Sequence, residues 1–157
     1  MLRTHPSEDN FFGRLGRAYL LVRGKRARIV ASLFYMLDVI RSIILYRWEA
    51  ADHIVFVRYL MGTAYLPRPL HKLGYLFFFR LVPTSGYMMF VDVPPEEALR
   101  RIESRSEGRK EVFESLEKLH EVRENALELV SIGGWKVING DQSRIITHCE
   151  IIDFLAL

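Results

Sequence analysis

One cysteine, Cys149, stands in 157 residues, so no disulfide framework holds this chain together and a reducing compartment is the expected setting. Charge of one sign is also scarce in net terms. A balance of +3 permits phosphate-bearing ligands but gives no nucleic-acid footprint, and we expect neither a nucleic-acid nor a membrane partner. The opening "MLRTHPSEDNFFGRLGR" has no apolar h-region, which predicts a cytoplasmic protein. Two long apolar stretches, Ile29 to Tyr46 and Leu73 to Val93, are broken by Asp38 and Arg41 in the first, and by Arg80, Pro83, Thr84 and Ser85 in the second. A charge near mid-bilayer costs roughly 2.5 to 3.5 kcal/mol on insertion, so both read as buried core elements. Internal repeats and low-complexity tracts are missing. His53, His71, His120 and His148 have no metal-ligand spacing with Cys149, and no metal site is predicted.

What is present is an apolar half of the composition with a quarter of residues charged, enough for one domain spanning 1–157 with its own core. Helical periodicity runs over Asn10 to Val22, placing Phe11, Leu15, Ala18, Tyr19 and Val22 on one face, and Arg28 to Trp48 reads as a helix buried on most sides. "HIVFV" predicts a strand covered on both faces, and "YMMFVDV" and "WKVING" two further strands. Between them, Pro94 and Pro95 suit a helix's first turn, Glu96 and Glu97 suit its dipole, and Glu96 with Arg100 and Glu97 with Arg101 are paired at i, i+4. A helix from Lys110 is expected to bury Val112, Leu116, Leu119, Ala126, Leu127 and Val130 before Gly133 and Gly134 stop it, and "RIITHCEIIDFLAL" closes the chain as a helix. Strands separated by helices imply right-handed crossovers and a parallel sheet, so the fold class is α/β, with ligands expected at the carboxyl ends of the strands.

The stretch "VDVPPEEALRRIESRSE…EVFESLEKLHEVRENALEL…WKVINGDQS" resembles the C-terminal half of thymidylate kinases, in which a strand ending in an "LDVPPE"-like signature leads to the lid. Upstream, "VFVRYLMGTAY" is similar to that family's "DRY" segment, "LFYMLDVIRS" to its acceptor-phosphate helix and "LRTHPSEDNFFGRLGR" to its "TREPGGTPLG" stretch. The resemblance implies a P-loop-kinase-like sheet with flanking helices, and phosphoryl transfer from ATP to thymidine monophosphate with Mg²⁺. It also nominates nucleotide-binding residues, Arg58, Tyr59, Tyr35 as a stacking ring and Arg3, and lid residues Arg101, Arg105 and Arg109.

The departures from that pattern concern the phosphate donor. The G-x-x-x-x-G-K-[ST] phosphate loop is not found in these residues. The acid of "DRY" is replaced by Val57, and the expected acceptor-phosphate arginine by Val39; Arg41, two residues on, lies about 200° around the helix. The resemblance then implies that the family's first strand, its P-loop and the following helix are missing, that no catalytic residue can be named, and that Mg²⁺ and ATP enter only if a P-loop segment exists beyond these residues. Three functions stay open at this point: a degenerate family member that keeps nucleoside monophosphate binding, a true kinase of thymidine monophosphate whose P-loop segment is absent from this sequence, and a non-catalytic subunit. In the last, a homo-oligomer or a protein partner would use the sheet edge that the missing strand leaves open.

Overall fold

The structure is a computed structural model that describes residues 1–22, 24–46, 53–105 and 115–156. Its contacts group the chain into two compact units, Met1–Val82 and Pro83–Leu157. Both are built from parallel strand pairs and helices, as an α/β fold requires.

In the first unit, β1 (Leu2–Thr4) pairs in parallel with β2 (Val55–Val57), in the register Leu2 to Val55, Arg3 to Phe56 and Thr4 to Val57. Between them run α1 (Phe11–Leu20) and α2 (Lys25–Tyr46). The predicted apolar face of α1 is not the one it buries. Phe11 and Val22 are exposed, whereas Gly13 is buried against the Ser7 backbone of the preceding loop and Gly16 is buried against α2. A Cβ on Gly13 would lie 2.0 Å from the Ser7 carbonyl oxygen, and one on Gly16 would lie 3.4 Å from the Tyr35 backbone nitrogen.

α2 was expected to be buried on most sides, yet Ile29, Leu33, Leu37, Ile44 and Leu45 are exposed along it. Its opposite side carries the core of Tyr35, Met36 and Val39, against which Ile43, Tyr59 and Phe78 pack. The rest of the unit comprises a 3₁₀ turn (Leu60–Tyr65), which sequence periodicity did not disclose, and α3 (Leu70–Leu81). β2 corrects a second expectation: Val55 and Val57 are exposed, and only the Phe56 side is partly covered. A run of β-branched residues signals a strand but does not say how many layers cover it.

In the second unit, β3 (Met89–Asp92) pairs in parallel with β4 (Lys136–Asn139), with Met89 opposite Lys136 and Asp92 opposite Asn139. α4 (Pro95–Arg105) begins at the predicted proline, with Glu96 and Glu97 in its first turn. α5 (Leu116–Gly133) is capped by the Ser115 side chain and ends on Gly134 at φ 64°, a left-handed conformation that suits glycine. Ala126 and Val130 are buried as expected, Leu129 replaces Leu127 as the fully buried leucine, and Leu116 is exposed. The predicted helical residues Lys110 to Glu114 lie outside the described residues. α6 (Arg144–Leu155) starts from a Ser143 cap and buries none of its residues fully.

Candidate functional site

At the carboxyl end of β1 the chain enters a polar loop, "HPSEDN", and the loop is held by a carboxylate far away in sequence. Asp38, fully buried in the middle of α2, accepts from the His5 ring (Nδ1 to Oδ2, 2.9 Å), the Ser7 backbone N–H (2.7 Å), the Ser7 hydroxyl (2.5 Å) and the Asn10 amide (2.6 Å). Burial alone would raise the Asp38 pKa, but the bonds from His5, Ser7 and Asn10 outweigh it and hold the carboxyl well below the ordinary carboxylate range. Asn10 also caps α1, its side-chain oxygen accepting from Gly13 N–H at 3.0 Å. One buried charge thereby ties the loop after β1, the start of α1 and the middle of α2 together.

Aromatic rings enclose His5. Phe56 stacks on it at 6.0 Å between centroids, Tyr35 meets it edge-on at 6.2 Å, and Tyr59 stacks on Phe56 at 5.1 Å. His5 Nε2 is buried with no hydrogen-bond partner among the described residues. Tyr35 donates its hydroxyl to the Tyr59 carbonyl at 3.0 Å and lies under Gly62, where a Cβ would come within 2.1 Å of the Tyr35 ring. Burial raises the Tyr35 pKa well above the ordinary phenol range, with Arg58 opposing, and burial pushes Tyr59 up to about 12. Both phenols therefore stay protonated near neutral pH and act as donors.

Arg58 follows β2 directly, exposed, with φ 62°. A left-handed arginine at a strand end is uncommon, and such strain gathers at functional sites. Arg3, in β1, places a guanidinium nitrogen 3.5 Å from Asp9 Oδ2, and Arg41, on α2, places one 3.6 Å from Asp9 Oδ1. Val39 belongs to the buried core, so the helix offers the loop Arg41 and not the residue at 39. The carboxyl end of β2 presents Val57, Arg58 and Tyr59: an aliphatic side chain, a cation and a protonated phenol. None is an oxygen ligand suited to a hard divalent cation, so these residues do not fit Mg²⁺.

The sequence-predicted residues of the first unit, Arg3, Tyr35, Arg58 and Tyr59, thus all border the carboxyl ends of β1 and β2, with Tyr35 inside the core and Arg58 at the surface. Asp38, His5, Ser7, Asn10, Asp9 and Arg41 were not read as a site. The available signal was Asp38 itself, a lone carboxylate in an apolar helix, which has to find partners when buried.

The family model described as "Thymidylate kinase" matches residues 1–151. This chain belongs to the thymidylate kinase family. No curated protein matches the chain. The family implies a nucleotide substrate and places the chain in nucleotide metabolism as a kinase-like protein. Among the described residues, no helix of this thymidylate kinase family member is long and apolar enough to cross a membrane.

The lid candidates of the family pattern belong to the second unit. Arg101 donates to Glu97 Oε1 at 2.6 Å, joined on the same carboxylate by Arg100 at 2.6 and 2.7 Å. Hydrogen bonds from Arg100 and then Arg101 lower the Glu97 pKa to about 2. Glu96, expected to pair with Arg100, instead meets His120 of α5 at 3.0 Å, while Arg100 is taken by Glu97. Arg105 is the last residue of α4, and Arg109 lies outside the described residues. Asp92, at the carboxyl end of β3, is gripped by Arg123 of α5 through two bonds of 2.7 Å. Sequence spacing gave no sign of that pair, whose members are separated by a helix.

Proposed function

We propose that this chain is a thymidylate-kinase-family domain that binds a nucleoside monophosphate and does not, by itself, transfer a phosphoryl group from ATP. The observation that carries the reading is Val57, an aliphatic residue at the end of β2 where the family pattern has an acid, directly followed by the strained, exposed Arg58. An aliphatic side chain can neither coordinate a metal nor accept a proton, while Arg3, Arg41 and Arg58 supply positive charge for an anionic ligand. The reading includes a cytoplasmic location and no resident Mg²⁺ or ATP. A fully active kinase whose P-loop lies in a segment beyond these residues is the rival reading.

Titration calorimetry with thymidine monophosphate, and ADP release from ATP, Mg²⁺ and thymidine monophosphate, test it together. Binding without ADP release above background is expected. Thymidine-monophosphate-dependent ADP release from the 157 residues would refute it.

A second reading, of a protein-binding subunit or homo-oligomer, draws on β2. Val55 donates its N–H to the Met1 carbonyl and the Val57 carbonyl accepts from His5, so the N–H and C=O of Phe56 are directed to the opposite edge. Leu2, Val55 and Val57 are exposed on one face of this sheet, and such edges pair with further chains. A monodisperse monomer in light scattering would count against it.

A further inference from the structure

Two guanidinium groups from different elements converge on a single carboxylate in the first unit: Arg3 from β1 and Arg41 from α2, both on Asp9 of the loop between β1 and α1. We infer that Arg3 and Arg41 form an anion-receiving pair which Asp9 fills in the ligand-free protein, so that a phosphate monoester binds there by exchanging places with the Asp9 carboxylate. The inference deepens the proposed nucleotide-binding reading by naming the residues that take the anionic group and a contact that regulates them, and it rests on that reading only for the nucleoside part of the ligand.

Three observations carry it. The first is the looseness of the contacts. At 3.5 and 3.6 Å they are well beyond the roughly 2.7 to 2.9 Å of charge-assisted hydrogen bonds, and Arg41 Nη1 is buried with no hydrogen-bond partner among the described residues. One carboxylate oxygen at 3.6 Å does not saturate Arg41. A phosphate group, with three peripheral oxygens on a tetrahedral centre, has the acceptors to bond both arginines.

The second is the gradient of exposure. The side chains of Arg3 and Arg41 are 26% and 32% exposed and that of Asp9 is 44%, so the cations form the floor and the acid sits toward solvent. The third is that the backbone around Asp9 is fixed by bonds that do not depend on the Asp9 side chain. Ser7 and Asn10 are bound to the buried Asp38 on either side of it, whereas the Asp9 carboxylate makes no bond to Asp38 and is met by the two arginines, by the Asn10 amide at 3.0 Å and by Ser7. Rotating one short side chain into water opens the pair without moving the loop. Hydrogen bonding from Asn10 and Ser7 and the charges of Arg41 and Arg3 keep Asp9 ionised against the effect of burial, so at neutral pH it is an anion competing with an anion.

The test measures binding of inorganic phosphate, thymidine monophosphate and thymidine by titration calorimetry at low ionic strength, for the wild type, Asp9→Asn and Arg41→Gln. Each partly exposed ion pair is worth up to about 1 kcal/mol. Removing the competing carboxylate should tighten inorganic phosphate about fivefold, and Arg41→Gln should weaken it about fivefold. Thymidine, which has no phosphate, should not respond to Asp9→Asn. Should Asp9→Asn fold poorly by circular dichroism, Asp9→Ser removes the same charge and carries the same expectation. Phosphate binding that is unchanged or weakened by loss of the Asp9 charge, or that no variant displays, overturns the exchange.

The two readings fail separately. Tighter inorganic phosphate in Asp9→Asn with no binding of thymidine monophosphate by any variant keeps the exchange and removes the nucleotide. Thymidine monophosphate binding that ignores Asp9 keeps the nucleotide and removes the exchange.

Discussion

Replacing Asp38 by alanine removes an acceptor used by four groups at once: the His5 ring, the Ser7 amide, the Ser7 hydroxyl and the Asn10 amide. Each hydrogen bond to a charged group contributes about 1.5 to 3 kcal/mol net, but they are not additive, and the buried charge carries its own desolvation cost. Breaking a buried, fully bonded carboxylate site by deleting one partner costs about 3 to 5 kcal/mol, a large share of the stability of a domain this size. Chemical denaturation followed by circular dichroism should show that loss, and hydrogen exchange gives a local reading. The Ser7 amide, bonded to Asp38 at 2.7 Å, should lose protection before the α3 amides do.

The pH dependence has a fixed sign. The folded-state pKa of Asp38 lies below the ordinary value, so between the two the unfolded chain binds the extra proton. The contribution of Asp38 is full above about pH 4 and is lost as pH falls toward the depressed folded value. Asp38→Asn should flatten the acid limb of the stability curve. A cost below about 1 kcal/mol for Asp38→Ala, with Ser7 still protected, would refute the account of the network as the anchor of this loop.

Three other outcomes follow from particular contacts. Gly62→Ala places a Cβ 2.1 Å from the Tyr35 ring, and overpacking of this kind should cost about 1 to 3 kcal/mol in a denaturation series; an unchanged midpoint would mean that the Tyr35 ring is not seated there. The Glu97 carboxyl should titrate near 2 by carbon-detected nuclear magnetic resonance, and Arg100→Gln with Arg101→Gln should return it to the ordinary range, whereas an ordinary value in the wild type would dissolve the α4 cluster. Arg123→Gln removes two bonds to Asp92. It should destabilise the second unit by about 1 to 3 kcal/mol, and a double-mutant cycle with Asp92→Asn that shows no coupling would contradict the pairing.

The parts of this fold that were legible in the sequence are those decided within a few residues. Pro95 with Glu96 and Glu97 announces the start of α4, and Gly134, at φ 64°, ends α5 where a pair of glycines had been read as a stop. Strand positions followed from β-branched runs and the family from motif order over nearly the whole chain. What was not legible depends on partners distant in sequence. Asp38 is legible as a charge that argues against a membrane span and as a member of the "LFYMLDVIRS" segment, but not as the centre of a network, because its partners, His5, Ser7 and Asn10, lie 28 to 33 residues away.

Arg41 was set aside on helical angle alone, a measure that says where a side chain leaves the helix but not which loop comes to meet it. The exposed Val55 and Val57 show the same limit for sheets, since covering layers are a property of the assembled fold. Gly13 and Gly16 are invisible to a search for apolar stripes, because their close contacts, to the Ser7 backbone and to α2, are made where side chains are missing.

The central claim, a nucleoside monophosphate binder of the thymidylate kinase family without its own phosphoryl transfer, is tested most directly by one experiment. Thymidine monophosphate is titrated into the 157-residue protein with ATP and Mg²⁺ present, and heat of binding and ADP are followed in the same sample. The account predicts saturable binding of thymidine monophosphate that Arg58→Gln weakens, with ADP at the level of the protein-free control. ADP that rises with thymidine monophosphate, or the absence of any saturable binding, would contradict it.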